Sequence, residues 1–119
     1  MTFITRRVLI ATALVVAVAP VALAHHGWGS YDSNTVLTLN GTIKAATCEN
    51  PHGMLQLEAD GKTWTVVLAP PSRMQNRGLE ADMMKPGTAA TVVGYPSRND
   101  PVEMRAERIT IAGKTTELR

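Results

Sequence analysis

The chain has 119 residues, with 12 Lys and Arg against 10 Asp and Glu, three His and a single Cys. Arg6 and Arg7 make up the whole positive excess, so residues 25–119 are formally balanced, which argues against nucleic acid or an anionic membrane surface as a partner. The length suits one domain, and a lone cysteine closes no internal disulfide.

Residues 1–24 read as a helical signal peptide. Arg6-Arg7 precede an apolar run from Val8 to Ala19, Pro20 ends it, and Ala22-Leu23-Ala24 gives the small-residue cleavage pattern. A cut after Ala19 would leave Pro20 first, a poor position for signal peptidase. An uncleaved anchor is the other alternative, and with it the only membrane tie. Thr12 and Pro20 interrupt the span, which falls short of the roughly 20 apolar residues needed. Arginines ahead of a short apolar run point to bacterial export and a periplasmic location. Cleavage after Ala24 would expose His25, whose α-amine and imidazole together can chelate a metal. Residues 25–34 form an N-terminal segment, and 35–119 the folded domain.

From Thr35 onward the pattern is mostly period two, with β-branched residues and turn signals. Thr35–Cys48 predicts one long bent strand or two collinear ones, with Gly41 marking a bulge or bend. Glu49-Asn50-Pro51-His52-Gly53 breaks the ladder. Met54, Leu55 and Leu57 lead to Asp60-Gly61, a two-residue hairpin signal, and Thr63–Leu68 returns with Trp64, Val66 and Leu68 on one face. Ser72 is positioned to cap a short helix over Arg73–Arg77 that Gly78 ends. Leu79–Met84 adds a further helical turn. Thr88–Tyr95 and Val102–Ile111 are the last main strands, with a second bulge at Gly94, and Thr115–Leu118 is a short tail. The expected fold is all-β: a small five-stranded OB-like barrel with a short helix between strands three and four. A sandwich is the runner-up, but it usually needs about seven strands.

Three stretches carry a resemblance. They are His25-His26-Gly27-Trp28-Gly29-Ser30-Tyr31-Asp32, then Glu49-Asn50-Pro51-His52, then Pro71 to Gly87 with Thr91-Val92-Val93-Gly94. Together they resemble a family of small exported bacterial proteins, a domain of unknown function with a mature His-His N-terminus and an Asn-Pro-His step. The resemblance implies export and an OB-like barrel, and brings no activity with it. The chain departs from that pattern where Cys48 and Gly53-Met54 stand in place of aromatic residues.

His25, His26 and His52 all fall at segment junctions, and imidazole suits copper, zinc and nickel. They are the candidate metal ligands, with copper the leading ion. Cys48, Glu49 and Met54 are candidate extra donors or supports for His52. Trp28 and Tyr31 are candidates to line a ligand groove or to anchor the N-terminal segment. Against these stand plainer roles. Cys48 suits a buried strand position, Met83 and Met84 suit the core, and His52 suits a turn held by its own hydrogen bond. Arg73, Arg77, Arg98, Arg105 and Arg108 read as a dispersed, solvated face matched by carboxylates. No Ser-His-Asp set, phosphate loop or paired-carboxylate motif stands out, so an enzyme is not expected. An oxidative copper enzyme ranks low for so small a domain. The expectation is an exported binding protein holding a transition metal. The alternative is a metal-free OB-type module for a small ligand or a periplasmic partner protein.

Overall fold

The computed structural model describes residues 27–119, and the expected leader, His25 and His26 lie outside them. Among the described residues there are six strands: β1 (Leu37–Thr47), β2 (Met54–Ala59), β3 (Lys62–Val67), β4 (Ala89–Pro96), β5 (Glu103–Ile111) and β6 (Lys114–Glu117). One helix, α1 (Pro71–Asn76), lies between β3 and β4, and 3₁₀ turns cover Trp28–Ser30 and Ala81–Met84. The sheet order is β3-β2-β1-β4-β5-β6, and parallel pairing of β3 with β5 closes the first five strands into a barrel. This is the OB-like barrel expected, with closure removing the long sheet edges. Among the described residues, no helix is long and apolar enough to cross a membrane.

The extra strand has a local cause. Ala112 and Gly113 both take positive φ (50° and 78°), so the chain reverses in two residues and Lys114 pairs with Ile111. The tail therefore becomes an edge strand. Asp60 and Gly61 use the same device (φ 53° and 72°) to join β2 to β3, as the sequence predicts.

Alternate residues of each strand fill the barrel. Leu39 and Ile43 come from β1, Leu55 and Leu57 from β2, Val66 from β3, Val92 from β4, and Met104, Ala106 and Ile109 from β5. Met74 and Met84 join this cluster, and Met83 packs half-buried against it, so the methionine pair serves packing. Cys48 also packs against it, half-buried.

Three local expectations need correction or refinement. Ser72 caps nothing: the helix begins at Pro71 with Pro70 ahead of it and no side-chain cap. A proline suits the first helical position because its fixed φ fits and it has no N–H to satisfy, which moves the start ahead of Ser72. Gly41 is not a bulge. It pairs in register with Ala90, and the register shift of β1 against β2 falls later, between Ile43 and Ala45. Gly41 instead permits close approach, because a Cβ there would run into the carbonyl oxygen of Glu58. The bulge expected at Gly94 is present. Val93 faces Arg108 while Gly94 faces Ala106, leaving Glu107 as the extra residue of β5.

Candidate ligand cleft

Inward placement of Met104 and Ala106 turns Glu103 and Arg105 to the outer face of the sheet. Met54 pairs with Val67, and Val67 with Arg105, so these three side chains form one outer row across β2, β3 and β5. Over this row lies a cleft of about 290 Å³, lined by Tyr31, Pro51, His52, Met54, Val67, Glu103 and Arg105. Pro51 and His52 come from the β1–β2 connection, where the Asn50–Pro51 peptide is cis.

Residues 28–32 roof one side. Tyr31 forms a β-bridge with Ser97, the Asp32 N–H donates to the Pro96 carbonyl (2.9 Å), and the Arg98 N–H donates to the Ser30 carbonyl (3.0 Å). The Asp32 carboxylate accepts from the Asn34 N–H (3.1 Å) and the Thr35 hydroxyl (2.8 Å), shaping the turn into β1. The Trp28 ring packs edge-on to Tyr95 (centroids 6.1 Å apart). The guanidinium carbons of Arg105 and Arg119 lie 4.2 and 4.6 Å from the Trp28 ring centroid. Arg119 is held there because Arg73 donates to the Leu118 carbonyl (3.2 Å) and Arg77 to the Glu117 carbonyl (2.7 Å). The Trp28–Ser30 turn and the C-terminal residues are thereby fastened over β5. Trp28→Ala should cost about 1–2 kcal/mol of stability, as a half-buried aromatic with two cation–π contacts. Amide exchange at Asp32 and Arg98 should quicken at the same time. Unchanged exchange there would mean Trp28 does not hold the segment.

Tyr31 is 4% exposed and its hydroxyl donates to Glu103 Oε2 (3.1 Å). Burial, then the charge of Glu103, pushes its pKa up to about 12. The neutral phenol is thus favoured in the folded state. This stabilisation is complete below the unfolded value of about 10 and is lost as pH rises toward 12. Tyr31→Phe should flatten that part of the stability profile, read by urea titrations at stepped pH. An unaltered fall between pH 10 and 12 would exclude Tyr31 as its source.

Arg105 is 6% exposed, so it is no part of a solvated face. The sequence reading missed it because Arg is mostly exposed. The clue was the alternation of β5, which commits Arg105 to the face opposite Met104. Burial lowers its pKa most; Arg73 and Arg119 also lower it, against a raising effect of Tyr31. Arg73 and Arg119 therefore lie near enough to act on Arg105, so these arginines are not dispersed. Arg108 does meet a carboxylate, Glu117, at 2.9 Å.

Of the candidate residues, the structure brings Tyr31, His52 and Met54 together in the cleft, with Trp28 against its Arg105 wall. Glu49 is exposed on the connecting loop, and burial raises the Cys48 thiol pKa. Among the described residues, no three of His, Cys, Asp and Glu form a metal-ligating group. His25 and His26 immediately precede those residues.

No curated protein matches the chain. Solved structures do. A chain of the S. pombe Stn1–Ten1 complex is 20% identical with a TM-score of 0.51, over 66% of this chain and 59% of that one. TiaS in a complex with a tRNA and ATP is 14% identical with a TM-score of 0.52, over 75% of this chain and 20% of that one. A ZRD-deleted TiaS mutant with agmatine is 16% identical at 0.50, over 74% and 25%. The chain thus spans less than two thirds of each, and at these identities the likeness shows the barrel fold alone. Residues 12–104 match a family defined by sequence, and on that match the chain belongs to DUF6152, a family of unknown function.

Proposed function

We propose that this is an exported binding protein whose ligand site is the cleft roofed by the N-terminal segment. One observation carries the reading: a concave, mostly apolar cavity of about 290 Å³ in which a few polar groups converge, on the β2–β3–β5 face. Small-molecule sites have this make-up, and OB barrels use the β2–β3 face and the loops beside it. Binding rather than catalysis is the activity proposed. The test is a titration with apolar fragments of fewer than about ten heavy atoms, followed by the Met54 and Val67 methyl signals. Shifts at both are expected, and Val67→Phe, which fills the cleft, should abolish the shift at Met54. Shifts confined to other faces would overturn the reading.

A second reading places copper at the same site, held by His25, His26 and His52. The fastening of Trp28 onto Arg105 supports it. His26 lies two residues ahead of Trp28, within about 7 Å of chain reach, and Arg105 and His52 line one cleft. An intact mass starting at His25 with one-to-one Cu(II) uptake is expected. One residue added ahead of His25, or His52→Ala, should each weaken uptake by at least about tenfold. Full affinity in both variants would exclude a shared site.

A further inference from the structure

The two charged walls of the cleft have opposite sign and stand close together. Glu103 and Arg105 are two residues apart on β5, on one face, with their backbones separated by roughly 7 Å. Arg105 presents a planar fork of donors suited to a carboxylate. Tyr31 engages one oxygen of Glu103, Oε2, which fixes that carboxylate at the rim. Pro51, Met54 and Val67 give the cleft its apolar walls. A ligand carrying only a carboxylate would meet repulsion from Glu103, and one carrying only an amine would meet repulsion from Arg105. A ligand with both charges on one carbon and an apolar side chain satisfies every wall.

We propose that the cleft recognises the zwitterion of a small apolar α-amino acid, its carboxylate on Arg105, its ammonium on Glu103 and its side chain against Met54 and Val67. The proposal rests on the reading of the cleft as the ligand site. The volume of about 290 Å³ lies at the lower edge of the roughly 300–1,000 Å³ typical of small-molecule clefts, which suits a ligand of this size. His52, on the β1–β2 connection, also lines the cleft and adds a hydrogen-bonding ring to it.

The test compares L-leucine with isocaproate, which lacks the ammonium, and isoamylamine, which lacks the carboxylate. Binding is followed by calorimetry and by the Met54 and Val67 methyl signals. Leucine should bind at least about tenfold more tightly than either analogue. Glu103→Gln keeps the shape of the wall and an oxygen for Tyr31. It should weaken leucine by about tenfold while leaving isocaproate no weaker. Arg105→Gln should remove the preference for leucine over isoamylamine, and a fold-intact spectrum for Glu103→Gln keeps the test decisive if Arg105→Gln does not fold. Equal affinity for leucine and either analogue overturns the zwitterion but leaves the cleft as a ligand site. Silence from all three probes, with the apolar fragments still shifting both methyls, overturns it as well. Silence from every probe overturns both readings.

Discussion

Gly94→Ala should destabilise the protein by about 3 kcal/mol and lower its melting temperature by roughly 12–24 °C. A Cβ at Gly94 would run into the carbonyl oxygen of Arg105 and lie 2.8 Å from the Cα of Ala106. Both are backbone atoms of the paired strand, so no side chain can swing aside. The strand itself must move, and it is bulged at this point, with Glu107 as the extra residue. Moving β5 here disturbs the segment that carries Arg105 and its contact with Trp28. Gly113→Ala is the control. It meets nothing within 4 Å, yet its φ of 78° penalises any side chain, so a loss of about 1 kcal/mol is expected from conformation alone. Urea titrations of both variants check the pair. A Gly94→Ala loss no larger than that of Gly113→Ala would show that the strands part easily at the bulge.

The barrel was legible because its determinants are local. Asp60-Gly61 announces a tight reversal, Gly94 interrupts a β-branched run, and the helix falls between the third and fourth strands where turn residues put it. The sixth strand was less visible, since a four-residue tail has little pattern of its own and gains strand structure only by pairing with β5. Half of the cleft could be found the same way. Tyr31, His52 and Met54 stand out as an aromatic, an imidazole and a thioether at segment junctions. Val67, Glu103 and Arg105 did not stand out. Their meeting depends on the parallel β3–β5 closure, which joins residues about 38 apart in sequence and leaves no mark in either strand alone. Arg105 looks like any surface arginine until the N-terminal segment is seen to cover it.

Met104→Ala should lower stability by about 3 kcal/mol and weaken ligand binding in the cleft, although Met104 itself lines no part of it. Its side chain is fully buried among Leu55, Val66 and Ile109, and it stands between Glu103 and Arg105 in sequence. Removing it leaves a cavity under the one stretch of β5 whose outer face supplies both charged walls. The pairings of Met104 with Val66 and with Pro96 fix this stretch against β3 and β4 at the same level. Relaxation of β5 toward the void would therefore draw the carboxylate and the guanidinium away from the geometry that two charges on one carbon require. Met104→Leu separates volume from chemistry, because a volume-conserving apolar swap usually costs less than about 1.5 kcal/mol. It should bind leucine as the parent does. Met104→Ala should lose more affinity for leucine than for isocaproate, since two anchoring points suffer from misplacement where one does not. Equal losses for both ligands would mean that the variant acts only through the folded fraction, and that the inner face of β5 does not position its outer one.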